Sequence, residues 1–138
     1  MERISRKYAG EKIFAINSQQ TIRAQEDIFI KMKKQARKST TLDNGKENHL
    51  HFQLKNLGMD TYFADPYSAW QRGANEHGNW LLRYYFPKGT DFSQVTEEEL
   101  QDVIEEINNR PRKILNYQTP NEVFNNLVRK EVGVAINY

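Results

Sequence analysis

Cysteine is absent from the 138 residues, which rules out a disulfide framework and a thiolate metal site and permits a reducing cytoplasm. No apolar run approaches the ~20 residues that a membrane span requires, and the first residues contain no continuous apolar stretch of the kind that directs export. The chain therefore reads as soluble and cytoplasmic, with no membrane partner. A strong excess of one charge is missing as well. Charged residues make up 28% of the sequence but leave a formal net charge of only +2, so composition by itself does not demand a nucleic-acid partner. Internal repeats, low-complexity tracts and linker-like stretches are also lacking. With 38% hydrophobic residues the chain can bury a moderate core in one domain, and it leaves no room for two ordinary ones.

What is present is unevenly distributed. Lys31, Lys33, Lys34, Arg37 and Lys38 fall together with no acid among them, Arg110, Arg112 and Lys113 form a second basic group, and acids concentrate between Glu97 and Glu106. Lys12 to Ile16 reads as a strand with Ile13, Phe14 and Ile16 apolar. From Ser18, an N-cap residue type, the period turns helical through Ile22, Ile28, Phe29 and Met32 as far as Lys34. That helix would place the first basic group in its last turn, where cations suit the dipole; phosphate binding is the competing explanation. Ser39 to Leu42 reads as a short buried strand that ends in the turn signal Asp43-Asn44-Gly45. In open α/β sheets the carboxyl end of a strand is also where chemistry is placed, which makes Asp43 a candidate functional acid.

Leu50, Leu54 and Leu57 predict a helix over Glu47 to Leu57, stopped by Gly58. His49 and His51 lie two apart on it and cannot face one metal together. Met59 to Phe63 predicts another strand. Ala64 to Lys88 then passes from a turn into a helix beginning near Ala69, with Arg72, Glu76, Asn79 and Arg83 on one polar stripe and Ala74, Gly78, Leu81 and Tyr85 opposite. Taken alone, Glu76 on that stripe reads more readily as a solvated acid between arginines than as a reactive one. Further on, Thr96 to Glu99 is a capping box opening a helix with Leu100, Val103, Ile104 and Ile107 on its apolar face. Thr119-Pro120-Asn121-Glu122 repeats the device before Val123, Phe124, Leu127 and Val128. Val132 to Tyr138 is undecided between strand and frayed end. The order of elements indicates a layered α/β domain with few strands.

The runs YFADPYSAWQRGANE, LLRYYFPKGTDFSQVTEEEL and NNRPRKILNYQTPNEVF, with TLDNGKE upstream, closely resemble the catalytic core of transposases of the insertion sequence 30 family. The likeness extends from Glu2 to about Leu127. It implies an α/β fold of the ribonuclease H-like integrase type, a mixed sheet with helices packed on it, and an Asp-Asp-Glu active site. Asp43 matches the second catalytic aspartate and Glu76, 33 positions later, the catalytic glutamate. Both are then expected ligands for Mg²⁺ or Mn²⁺, the hard cations that in-line displacement at phosphorus uses. Lys46, Arg72, Asn75, Asn79 and Arg83 become candidates for contacting DNA backbone or supporting the acids.

No residue matches the family's first aspartate, and neither Glu2 nor Glu11 fits its motif. The resemblance therefore implies a partial integrase core spanning residues 1–138, truncated at its N-terminus so that the first strand is missing, with no separate DNA-binding domain. Such a chain would hold metal weakly or not at all and be inactive alone in transposition of insertion-element ends. The alternatives are a non-catalytic piece that binds DNA or associates with a full-length transposase, and a functionless product with an exposed strand edge. The sequence also departs from the family pattern, as three positions illustrate. Trp80 stands where glycine is usual, Asn48 where an aromatic is usual, and Ala69 where proline is usual. The departure at Asn48 implies the loss of a core contact, and Gly78 costs roughly 1 kcal/mol of helix stability relative to alanine.

Overall fold

The computed structural model describes residues 1–66 and 73–131. They fall into two compact units, one made of residues 1–11 together with those from 73 onward, the other beginning at residue 12.

In the second of these, helix α1 (Ser18–Ile30) is capped one residue before the expected position: the Asn17 side chain accepts the Gln20 N–H at 2.9 Å. Its buried face carries Ile22 and Ala24. The helix ends at Ile30, where Met32 N–H turns back to the Phe29 carbonyl, so the basic group does not occupy its last turn. Lys33 and Lys34 instead follow in an exposed segment with a single 3₁₀ turn at Lys34–Ala36. Strands β1 (Ser39–Leu42) and β2 (Asp60–Phe63) pair in parallel, with Ser39 opposite Asp60 and Leu42 opposite Phe63. A parallel pair needs a long crossover, and residues between the strands supply it as 3₁₀ turns at Lys46–Asn48 and His51–Leu57, not the α-helix that the leucine spacing predicts. Those leucines still face inward. Leu54 is fully buried and packs with Ile22 and Met59, bordered by Phe29, Leu50 and Leu57. Gly58 ends the crossover at φ 74°, a left-handed conformation that only glycine adopts without strain.

The strand expected over Lys12 to Ile16 does not form. Its amides at Phe14 and Ala15 donate to the Gln20 side-chain oxygen (2.8 and 3.0 Å), and Phe14 and Ile16 are exposed. A short apolar run makes a strand only when a neighbour completes the ladder, and here a helix N-terminal side chain takes the hydrogen bonds. The sheet described is thus two parallel strands, smaller than a mixed sheet.

The other unit packs α2 (Gly73–Tyr85), α3 (Glu97–Asn108) and α4 (Pro120–Glu131) with the first eleven residues. Both predicted caps are present. Thr96 accepts the Glu99 N–H at 3.0 Å; Thr119 and Glu122 cap each other reciprocally at 3.1 and 2.9 Å. Tyr8, Val95, Leu100, Ile104 and Ile107 form the core, with Leu81, Leu82 and Phe86 against it. Asn108, 2% exposed, fastens the amino-terminal segment: its side chain accepts the Tyr8 N–H and donates to the Tyr8 carbonyl, both at 2.8 Å.

Candidate active site

Asp43 is the residue immediately after β1, and its exposed side chain lies at the carboxyl end of the parallel pair. One carboxylate oxygen, Oδ1, accepts the Gly45 N–H at 3.1 Å and the Asn48 side-chain amide at 2.8 Å; the same amide reaches the Asp43 carbonyl at 3.2 Å. The tripeptide signal for a turn is thus realised as a turn closed by the aspartate itself. Gly45 has φ −65°, so no left-handed conformation is involved. Asn44 ties this loop to the end of β2 by donating to the Ala64 carbonyl at 3.0 Å. Beside the loop is an open cavity of about 470 Å³ lined by Asn44, Lys46, Asn48, His49, His51, Phe52 and Phe63. His51 Nδ1 is 2.8 Å from Thr61 Oγ1 and its ring meets Phe63 edge-on at 4.7 Å. Lys46 is exposed at the rim, its carbonyl accepting from Ser18 Oγ at 3.1 Å.

Glu76 stands in the first turn of α2, exposed, and among the described residues no hydrogen bond or ion pair engages it. Its neighbours on the helix are more occupied. Asn75 Oδ1 accepts from the Met1 nitrogen at 2.8 Å, and Asn79 Oδ1 accepts from the Tyr8 hydroxyl at 3.1 Å. Burial raises the Tyr8 pKa, an effect that Arg83 opposes. Arg83 is itself exposed and lines a smaller hollow of about 220 Å³ with Asn79, Leu82, Phe86 and Phe92. Arg72 and Ala69 lie outside the described residues.

Behind Glu76 the helix is held by Gly78. A side-chain carbon added there would lie 2.7 Å from the Tyr8 ring and 2.9 Å from Met1 Cε, so the residue that counts against the helix by propensity is the one that lets Tyr8 approach it. Trp80 is exposed and stacks with His77 at 6.0 Å, which explains why an indole is accommodated. Neither feature was legible as such, because a glycine's role in close packing depends on a partner some 70 positions away. Glu2, near the place where a first acid would be sought, caps its own turn by accepting from Ile4 N and Ser5 N at 3.0 and 2.6 Å.

Among the described residues no group of three or more histidine, cysteine or acidic side chains is placed to hold a metal ion. The donor chemistry at the strand end nonetheless suits a hard cation: an exposed carboxylate beside the side-chain amides of Asn44 and Asn48, with no thiolate. Magnesium keeps several waters and is commonly held by one or two carboxylates.

Over 112 residues, 80% of its length, the chain is 46% identical to the transposase InsI for insertion sequence element IS30A of Escherichia coli. The chain belongs to the insertion sequence 30 family of transposases. It is also 47% identical over 65% of its length to the transposase for insertion sequence element IS4351 of Bacteroides fragilis, and 47% over 63% to that for IS1086 of Cupriavidus metallidurans. The matched segment is 27%, 28% and 26% of these transposases respectively, so the chain spans about a quarter of the curated relatives' length. No protein-family model and no solved structure matches it. None of the described helices is long and apolar enough to cross a membrane.

Proposed function

We propose that residues 1–138 supply part of a ribonuclease H-like transposase core, in which Asp43 and Glu76 are two of the carboxylates that hold Mg²⁺ or Mn²⁺ during DNA strand transfer. The observation that carries this reading is the place of Asp43, at the carboxyl end of a parallel strand with its carboxylate restrained, in a chain of this family. A divalent ion bound there would activate the attacking hydroxyl and stabilise the leaving oxygen. The protein's own part is to present two acids from different elements, one on a loop and one on a helix, with Lys46 and Arg83 as cations toward phosphate. Two carboxylates fall short of a three-acid site, and the 138 residues by themselves are expected to be inactive. The test is a chimera in which they replace the matching segment of the Escherichia coli relative. Transposition should be restored, and Asp43→Asn or Glu76→Gln should abolish it; an active chimera indifferent to either change would sink the assignment.

A second reading, non-catalytic DNA binding, is favoured by one observation. The basic segment after α1 is exposed and lies beyond the helix end that would otherwise account for it. Binding should weaken steeply with salt, and Lys33→Glu with Lys34→Glu should flatten that dependence by about two charges. A gel shift without salt dependence would discard it. Association with a full-length transposase is the third proposal, tested by co-purification.

A further inference from the structure

An asparagine occupies a position where the family resemblance leads to an aromatic residue, and its buried amide is bonded. Asn48 is 8% exposed, so its amide must find partners within the protein. It finds both in one residue: Nδ2 donates to Asp43 Oδ1 at 2.8 Å and to the Asp43 carbonyl at 3.2 Å. A primary amide nitrogen carries two protons, so the bonds can be made together. Both partners are acceptors, which decides which end of the amide faces Asp43. Asn48 is itself fixed, since its backbone N–H bonds the Gly45 carbonyl at 3.1 Å and the Lys46 carbonyl beside it accepts from Ser18 on α1.

The consequence for Asp43 is geometric. A side chain tied to its own residue's carbonyl through a bridging amide cannot move freely among its staggered rotamers. With the Gly45 N–H also on Oδ1, the direction in which the carboxylate faces is set before any ion arrives. We infer that Asn48 is a positioning residue, whose side-chain amide sets the rotamer of the Asp43 carboxylate and hence the orientation it offers to a divalent cation. The inference rests on the reading of Asp43 as a metal-binding acid. A leucine or phenylalanine at position 48 would fill the same space and supply no donor, so packing and positioning can be separated by experiment.

The probe is Mn²⁺ alone, titrated into the full chain, with paramagnetic broadening of the amide resonances of residues 43–45 as readout. Partners that orient a ligand typically change metal affinity 10- to 100-fold. The Asn48→Leu variant should therefore need at least about tenfold more Mn²⁺ for half-maximal broadening. A role in packing alone would move the melting temperature and leave that midpoint in place. Asp43→Asn serves as reference. If it abolishes the broadening while Asn48→Leu titrates like the parent chain, the positioning role is overturned and the metal reading stands. If Asp43→Asn titrates like the parent, the metal reading fails and takes the inference with it. Should Asn48→Leu not fold, hydrogen exchange of the Asn48 side-chain amide decides instead. Exchange should be slow in the parent and at least about tenfold faster in Asp43→Ala, since each 1.4 kcal/mol of lost protection is a factor of ten; equal rates would overturn the proposal.

Discussion

The carboxylate of Asp43 lies in a loop that holds it directly, through Gly45 and Asn48, whereas that of Glu76 projects from α2 and is placed only by the helix beneath it. The difference teaches where each position is vulnerable. Asp43 depends on a few polar contacts within six residues of sequence. Glu76 depends on its helix, whose Gly78 meets Tyr8 and whose Asn75 and Asn79 bond the amino-terminal segment. Changes that disturb one acid should leave the other in place.

The largest effects test whether the two acids are equivalent in use. In the chimera, Asp43→Asn and Glu76→Gln should each lower transposition on the order of 10³-fold, about 4 kcal/mol of barrier. Retention of activity in either variant would remove that acid from the site. Next comes Asn108→Ala, which leaves the Tyr8 N–H and carbonyl without buried partners and should destabilise the unit bearing Glu76 by about 2–4 kcal/mol. Denaturant melts followed at the amides of α2 and of β1 separate the responses, and equal loss in both would break the comparison. Gly78→Ala sets a helix gain of about 1 kcal/mol against overpacking of about 1–3 kcal/mol, so a net loss of up to about 2 kcal/mol is expected. Net stabilisation would mean that the Tyr8 ring moves aside without cost. Asn44→Ala removes one hydrogen bond between the Asp43 loop and the end of β2, about 1 kcal/mol, and should raise exchange at Ala64 and leave α2 unaffected.

The smallest effect concerns pH. Burial pushes the Glu2 carboxyl up, but the hydrogen bonds from Ile4, Ser5 and Arg3 outweigh it and hold the group below its ordinary value. A lowered folded value means that the contribution is complete above the unfolded pKa and lost as pH falls through the folded one. Stability of that unit should therefore decline on acidification below the usual glutamate range, and Glu2→Gln should flatten the decline. A profile identical in parent and variant would remove Glu2 from the account.

Much of the local structure around Asp43 and at the helix ends could be read from the chain. TLDNGKE placed Asp43 at a strand end, the two threonine caps marked α3 and α4, and Gly58 marked the end of the crossover. Each of those signals is local, in that the residues that define it also satisfy it. The failures share the opposite property. Lys12 to Ile16 has the apolar content of a strand, but Gln20 takes two of its amides. Asn48 looked like a missing apolar contact because a buried amide has meaning only once its acceptors are known. Gly78 looked like a propensity penalty because Tyr8 is far from it in sequence. The crossover leucines predicted burial correctly and helix type wrongly, since a 3₁₀ turn and an α-helix can bury the same spacing.

The amide pair between Tyr8 and Asn108 joins positions 100 residues apart, with the whole of the other unit encoded between them. During synthesis at about 5–20 residues per second, the first eleven residues would wait roughly 5 to 20 seconds for the helix that receives them. The segment that forms the unit containing β1 and β2 ends at residue 72, so all of it is synthesised within that interval. The order of emergence therefore delivers the restrained acid before the asparagine that fastens the amino-terminal segment.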